Sequence, residues 1–328
     1  MRVVLSSDCF DRASVGDLLQ LFFFGARGRH RVYPEALNAP AYLAWLSARD
    51  PAVREVCELS IRGATLEEVR NPSARAVRVV PSVATQWDAK PPTVSIDDAI
   101  NFLATAFTFV LEDGENDREF LLAFCTREER EWLVDQEKRS HLIFANGGGV
   151  GSMTRLAGEL AQNQRRQLLH WMLFDSDALR PGVPSQQSML LAEACKTANV
   201  LFHQLCRRFA ESYLPIRSLH GWVYGSTSRK RDHEPRYLAF AALSDPQRQH
   251  FHMKKGFEQD RRRYESGDTA GDLYNDVPES SMEELEAGFG SNIGSLYSEG
   301  WVHEVELRKE SGWSELRAAL HGAMALLR

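Results

Sequence analysis

The stretch FTFVLEDGEND, residues 107–117, decides the fold of this chain. Its first half, Phe107 to Leu111, is a short apolar run of the kind that forms a buried strand. An acidic turn follows, and the apolar residues after Asp117 recur at helical spacing. A strand that passes through a tight turn into a helix is the repeating unit of parallel α/β sheets.

The same unit occurs twice more along the chain. A second predicted strand, residues 141–145, runs into the glycine turn of residues 146–151, and a helical pattern follows. A third, residues 168–174, ends at the sequence Asp-Ser-Asp, residues 175–177. We therefore predict an α/β fold with a Rossmann-like, mostly parallel sheet flanked by helices. In such sheets ligands bind outside the carboxyl ends of the strands, where all three turns lie.

The chain is predicted to divide into two regions. Residues 1–95 read as an α+β region of unknown role, which ends in a polar linker that contains Pro91 and Pro92. Residues 96–328 hold the repeated strand and helix units and a C-terminal helix from about Ser314 to Leu327. The apolar face of that helix suits packing inside the protein or against a second copy in a homodimer.

Composition narrows the class of protein. Hydrophobic residues make up 43% and charged residues 26%, as in an ordinary globular chain. We find neither an apolar run of about 18 residues nor a signal peptide, so a cytoplasmic location without membrane contact is expected. Five cysteines without a C-x-x-C pair predict buried thiols rather than a disulfide framework or a zinc site.

The charge is unevenly distributed. The chain has a net charge of −6, yet residues 207–263 contain thirteen Lys or Arg against six Asp or Glu. This block is either a phosphate-facing surface or a solvated face. The candidates for contact with nucleic acid are Arg207, Arg208 and a flexible basic loop of Arg229, Lys230 and Arg231.

Four carboxylates are predicted to meet at the sheet edge: Asp113 and Asp117 after the first strand of the repeat, and Asp175 and Asp177 after the third. Crowded carboxylates repel one another, and a hard divalent cation with oxygen ligands removes that repulsion. The pattern thus favours a Mg²⁺ site, with Mn²⁺ as a substitute, although an Asp-x-Asp alone also occurs as turn chemistry.

The glycine turn allows two interpretations. The N–H groups of Gly147, Gly148 and Gly149 stand at a helix start, where a phosphate of nucleic acid would be favoured. Alternatively, the glycines serve only a loop with permissive φ angles.

These motifs resemble a known family. Residues 110–121 (VLEDGENDREFL), the glycine turn and residues 174–177 (FDSD) resemble the TOPRIM domain of type IA and II topoisomerases, bacterial primases and OLD-family nucleases. Residues 208–215 (RFAESYLP), 252–257 (HMKKGF) and 288–290 (GFG) resemble the narrower DUF4435-type TOPRIM proteins, which include the nuclease subunit of PARIS anti-phage systems. The resemblance spans about residues 107–297.

The resemblance implies roles for the carboxylates. Asp113 matches the family's glutamate, which acts as a general acid/base or as a metal ligand. The side chain of Asp113 is shorter, so it must draw the metal closer or act through a water molecule. Asp117 and the paired Asp175 and Asp177 would hold Mg²⁺. Glu112 could replace Asp113 only if the register slips, because neighbours on a strand point to opposite faces.

The basic block adds further candidates. Glu211 is either another metal ligand or a partner of Arg207 and Arg208. Lys254 or Lys255 would neutralise a phosphate oxygen, unless both are surface lysines.

We therefore expect a Mg²⁺-dependent nuclease of DNA or RNA, tRNA included, with a role in anti-phage defence implied by the resemblance alone. The alternative is a non-catalytic nucleic-acid-binding or regulatory subunit. Because the sequence has no Walker A motif, any nucleotide-driven step must come from a partner such as an ABC-type ATPase.

Overall fold

A computed structural model describes residues 1–73, 75–81, 84–258, 260 and 269–327. The chain is an α/β protein with two four-stranded sheets, and every strand pair in both sheets is parallel. No helix within the described residues is long and apolar enough to cross a membrane.

The two sheets have the same strand order. The first contains β1 (Arg2–Leu5), β2 (Arg31–Pro34), β3 (Ala76–Val80) and β4 (Thr93–Ser95), in the order β2-β1-β3-β4. The second contains β5 (Phe107–Leu111), β6 (Leu142–Asn146), β7 (His170–Phe174) and β8 (Leu201–Gln204), in the order β6-β5-β7-β8. The three predicted strands of the repeat are confirmed, and the second and third begin one or two residues later than expected.

Helices connect and cover the strands. Those of the first sheet are α1 (Cys9–Arg12), α2 (Val15–Ala26), α3 (Pro40–Ser47), α4 (Pro51–Arg70) and α5 (Ile96–Ala104). Those of the second are α6 (Gly114–Ala123), α7 (Arg127–Lys138), α8 (Val150–Ala161), α9 (Gln164–Gln167) and α10 (Gln186–Thr197). Beyond β8 come α11 (Ile216–Tyr224), α12 (Thr227–Ala242), α13 (Asp245–His250), the short helices Glu279–Glu284 and Glu304–Leu307, and the C-terminal helix Trp313–Leu327.

The N-terminal region differs from the expectation of an α+β fold. Its sheet is fully parallel, because β1 pairs in parallel with β2 and β3, and β3 pairs in parallel with β4. The predicted boundary at residue 95 falls between β4 and α5. Ser95 caps α5, and the buried residues of α5 pack into the core of the first sheet, so this core continues to Leu103.

The central strands of the second sheet, β5 and β7, are buried on both faces. Phe109, Leu111 and Leu173 belong to the larger core, which the C-terminal helices cover. Val110 and Met172 point to the opposite face, into the core beneath α8 and α10. Apolar residues on both sides explain why these strands read as unbroken hydrophobic runs. The ends of β5 and β7 are thereby held side by side.

A buried ion pair fastens the segment after β8. The guanidinium of Arg208, 3% exposed, donates two hydrogen bonds to the carboxylate of Asp260, which is 1% exposed, at 2.6 and 2.9 Å. The same guanidinium donates to the carbonyl of His250 at 3.1 Å. Removing one partner of such a pair leaves the other charged, buried and uncompensated.

We therefore expect Asp260→Ala to lower the free energy of unfolding by about 3–5 kcal/mol, as measured by urea denaturation. Replacing both partners, as in Arg208→Met with Asp260→Leu, should cost less than the single change, because no charge is left unpaired. Asp232→Ala is the control, since Asp232 pairs with an exposed arginine, and it should change little. Equal losses for Asp260→Ala and the control would contradict the assignment.

Candidate active site

The candidate site lies at the carboxyl ends of β5 and β7. These neighbouring strands form the point at which the strand order of the sheet reverses, and open parallel sheets bind ligands in that crevice. Glu112 follows β5 and Asp175 follows β7. The backbone N–H of Asp175 donates to the Glu112 carboxylate at 3.0 Å, so the two strand ends are joined directly.

The end of β5 presents a different carboxylate from the one predicted. Asp117, in the first turn of α6, is buried and accepts a hydrogen bond from the backbone N–H of Asp113 at 2.8 Å. The Asp113 side chain is 58% exposed and accepts from the side-chain amide of Asn116 at 3.0 Å. Glu112, not Asp113, reaches the end of β7, which corrects the preference for Asp113.

The physical reason is local. β5 ends at Leu111, and Asp113 has φ −116° and ψ 49°, outside the strand conformation, so strand alternation does not extend to it. The four-residue spacing between Asp113 and Asp117 therefore reflects a helix start closed by a backbone-to-carboxylate bond. A buried hydrophobic strand followed at once by a glutamate was the signal that pointed to Glu112.

The corner after β7 is fixed by the segment after β8. The carboxylate of Asp175 accepts from the backbone N–H of Ala210 at 3.1 Å. The hydroxyl of Ser176 donates to the carbonyl of Arg207 at 2.8 Å. Asp177 has a left-handed φ of 51°, and its N–H donates to the carbonyl of Arg208 at 3.1 Å. The predicted aspartate pair thus stands on a corner with ordered backbone.

Glu211 and Lys254 complete the cluster. Glu211 is 4% exposed, and its carboxylate pairs with the Lys254 ammonium at 2.9 Å rather than with Arg207 or Arg208. The same ammonium lies 3.9 Å from the Asp113 carboxylate. Lys255 is exposed, so Lys254 is the lysine of this pair that faces the carboxylates.

Close backbone packing fixes Lys254 and Glu211. A Cβ at Gly288 would lie 2.4 Å from the backbone carbon of Lys254, so only glycine lets these two segments meet. A Cβ at Gly294 would lie 2.9 Å from a carboxylate oxygen of Glu211. Neither glycine was singled out from the sequence for this role, because the contact it permits joins residues distant along the chain.

The carboxylates raise one another's pKa values. Burial, with the nearby charges of Asp177 and Asp117, raises the pKa of Glu112 to about 7. Burial and the charges of Glu211 and Asp113 raise the pKa of Asp117 to about 6. Burial and the surrounding carboxylates, Glu112 first, raise the pKa of Asp175 well above its usual value. The negative charge of these carboxylates is therefore only partly offset by the positive charges and hydrogen-bond donors around them.

Lys254 offsets part of that charge. Burial alone lowers its pKa, but the carboxylates of Glu211, Asp175 and Asp113 outweigh burial and raise it. The lysine is therefore held as an ammonium ion among the acids.

The donor set suits a hard cation. The side chains that raise the pKa of Asp175 most strongly offer carboxylate oxygens, the ligands that Mg²⁺ and Mn²⁺ prefer. In the part of the chain that the structure describes, however, no three His, Cys, Asp or Glu side chains form a ready-made metal-holding group. Mg²⁺ at Asp117, Asp175, Asp177 and Glu211 therefore stays a prediction.

The glycine turn corrects the expectation of a phosphate cradle. The N–H groups of Gly147, Gly148 and Gly149 donate within the loop, to the carbonyl of Leu111 at 2.6 Å, the side chain of Asn146 at 2.8 Å and the carbonyl of Glu112 at 3.3 Å. These three donors are engaged, and they fix the end of β5 instead. Gly148 and Gly149 have φ values of 69° and 83°, which favour glycine.

The predicted basic contacts also change. Arg207 and Arg208 are buried, so they support the site rather than face a ligand. Arg229, Lys230 and Arg231 form the first turns of α12 and not a flexible loop. The Arg229 guanidinium lies between the rings of Trp222 and Trp301, 5.7 and 5.1 Å from their centroids.

No protein-family model, no curated protein and no solved structure matches this chain.

The raised pKa values predict a pH dependence of stability. Asp117 titrates near its usual value of 3.8 when unfolded and near 6 when folded, so the folded protein holds its proton more tightly. Its contribution to stability is present below pH 4 and is lost as the pH rises through about 6, at a cost of about 3 kcal/mol. Asp117→Asn should remove that part of the slope.

The measurement is urea denaturation in chelator between pH 4 and 7.5, compared with wild type. Glu131→Gln, at an exposed position on α7, is the charge-matched control. Identical slopes for wild type and Asp117→Asn would show that Asp117 is not held at a raised pKa.

Proposed function

We propose that this chain is a divalent-metal-dependent nuclease of the TOPRIM type, which hydrolyses phosphodiester bonds of nucleic acid with Mg²⁺ or Mn²⁺. One observation carries the proposal. Carboxylates from the neighbouring ends of β5 and β7 converge in the ligand-binding crevice of a parallel sheet, close enough to raise one another's pKa values. A bound cation would offset the repulsion between these carboxylates, so such crowding favours a cation-binding site.

Asp117, Asp175, Asp177 and Glu211 are the residues proposed to hold the metal. A divalent cation held there would offset the negative charge that develops on the attacking and leaving oxygens while phosphorus is attacked. The chain's part is to keep the oxygens in place. Asp117 and Asp175 are each fixed by a backbone N–H donor, so they need little rearrangement to meet a cation.

Glu112 is proposed as the proton acceptor. A carboxylate with a pKa of about 7 can take a proton from a water molecule at neutral pH. The resulting hydroxide oxygen forms a bond to phosphorus, and the bond from phosphorus to the leaving ribose oxygen breaks. The leaving oxygen takes up a proton from solvent water and Glu112 gives its proton back to solvent, which leaves one phosphate monoester and one hydroxyl end.

Lys254 is proposed to contact the phosphate. Its ammonium is held beside Glu211 at 2.9 Å and needs only to turn toward a non-bridging phosphate oxygen that enters the crevice. A lysine is suited to that task because it is a compact point charge on a flexible stem. Asp113, with its exposed carboxylate, is proposed to stand at the rim, where Asn116 orients it.

Substrate and partners are proposed from the resemblance to the nuclease subunit of PARIS-type systems. The substrate would be RNA or DNA in the cytoplasm, in an anti-phage response, and an ABC-type ATPase would supply any nucleotide-driven step. Lys230 and Arg231, exposed at the start of α12, are the members of the predicted basic group that a nucleic-acid backbone could reach.

A non-catalytic role is the second candidate. It is favoured by the absence, within the described ranges, of a preformed group of three metal-holding side chains. In that case Lys254 would serve permanently as the counter-ion of Glu211, and the chain would bind nucleic acid or regulate a partner without cutting.

The first test is cleavage of labelled RNA and DNA, single-stranded and duplex, by the purified protein with Mg²⁺, with Mn²⁺ and with chelator. We expect metal-dependent cutting that falls about 100-fold or more in Asp175→Asn, since loss of a few kcal/mol of charge stabilisation has that effect on rate. Binding to the nucleic acid without metal should be kept. Binding without cutting in both metals would favour the non-catalytic role.

A second test separates the adjacent acids. Glu112→Gln should reduce cleavage about 10²–10⁴-fold, the usual contribution of a positioned base. Asp113→Asn, the matched control, should cleave within about tenfold of wild type, because its side chain is exposed and does not meet the end of β7. The reverse ranking would restore Asp113 as the reacting carboxylate.

A further inference from the structure

We propose that Glu315, on the C-terminal helix, is a positioning residue that acts through Tyr213 to hold Glu211 and Asp175 in the candidate site. The part of this inference that concerns activity rests on the proposed nuclease function. The part that concerns position rests on contacts alone.

The carboxylate of Glu315 accepts hydrogen bonds from three partners. Its carboxylate accepts from the ring nitrogen of His203 at 2.9 Å, from the backbone N–H of Cys206 at 2.9 Å and from the hydroxyl of Tyr213 at 2.8 Å. Although burial raises its pKa, the bonds from these three partners outweigh burial and lower it. A charged carboxylate thus joins the C-terminal helix to β8 and to the segment after it.

Tyr213 is held tightly enough to transmit that restraint. It is completely buried, and its ring lies 4.7 Å from the guanidinium of Arg207. The backbone N–H of Arg207 donates to the Tyr213 hydroxyl at 3.2 Å. A Cβ at Gly312 would lie 2.5 Å from two ring carbons of Tyr213, so the backbone just before Glu315 packs directly against the ring.

Tyr213 stands two residues from Glu211 in the short 3₁₀ helix Ala210–Tyr213. Both ends of that helix are therefore tied. At its start, the N–H of Ala210 donates to the Asp175 carboxylate, and the carbonyl of Ala210 accepts from Tyr297 at 3.0 Å. At its end, the Tyr213 hydroxyl is bonded to Glu315. Glu211 lies between the two anchors.

The restraint extends to the corner after β7. Ser176 and Asp177 bond to the carbonyls of Arg207 and Arg208, in the segment that begins at Cys206. Glu315 fixes the start of that segment through the Cys206 N–H and its end through Tyr213. Outer groups that orient metal-binding carboxylates commonly change metal affinity 10–100-fold when they are removed.

The experiment compares Glu315→Gln, Tyr213→Phe and the double variant with wild type and with the exposed control Glu131→Gln. The first readout is the Mg²⁺ concentration for half-maximal cleavage, measured well below the midpoint of thermal unfolding. We expect both single variants to need about tenfold more Mg²⁺ and to recover at saturating Mg²⁺. The double variant should be no worse than Glu315→Gln alone, because the link between Glu315 and Tyr213 is already broken there.

The second readout is hydrogen exchange of the backbone amides, which needs no activity. In Glu315→Gln the Ala210 amide should exchange about tenfold faster, while the amides of β1 and β3 are unchanged. This readout separates failure of the inference from failure of the nuclease proposal. If wild type cuts no nucleic acid, faster exchange at Ala210 still supports the positioning role.

Two outcomes would overturn it. One is wild-type exchange at Ala210 in Glu315→Gln. The other is an additive double variant whose Mg²⁺ requirement is not rescued by excess metal, since that pattern indicates a general loss of stability.

Discussion

The structure around the candidate site depends on repulsion between carboxylates that the fold brings together. Glu112 and Asp175 belong to adjacent strand ends, and a hydrogen bond of 3.0 Å prevents them from separating. Asp117 and Glu211 are buried beside them. Carboxylates in such a setting are either protonated or compensated by a cation. The raised pKa values of Glu112 and Asp117 result from this burial and mutual repulsion. Repulsion between buried carboxylates does not stabilise a protein core, so this cluster is a candidate functional site.

Nearby groups compensate part of this negative charge. Lys254 brings one positive charge, and backbone N–H groups of Asp113 and Ala210 each donate to one carboxylate. The segment that carries Lys254 can pack closely against residue 288 because glycine there has no Cβ, which would lie 2.4 Å from the backbone carbon of Lys254. The acids can thus stay charged in part without a metal, and a cation would find them already oriented.

The sequence was sufficient for the framework of the second sheet and insufficient for the orientation of its side chains. β5 and β7 were predictable because strands buried on both faces are continuous apolar runs. Asp113 was predicted in place of Glu112, because the spacing of residues along the chain does not show where strand alternation stops. Arg207 and Arg208 read as surface cations because the partner that buries Arg208, Asp260, is 52 residues away. Arg229 to Arg231 read as a loop because of nearby serines, yet the hydroxyl of Ser226 accepts from the N–H of Arg229 and caps a helix.

The first sheet shows that topology alone does not make such a site. It has the same parallel strand order as the second, with the same reversal between its two central strands. At its carboxyl edge, however, Glu35 follows β2 and pairs with Arg78 of β3 at 3.0 Å, with both side chains partly open to solvent. Glu35 thus has an arginine of its own as counter-ion, whereas Glu112, Asp117 and Asp175 share Lys254. Two sheets of one design therefore differ in the balance of charge at the strand ends, and that balance, rather than the fold, is where a function can be sought.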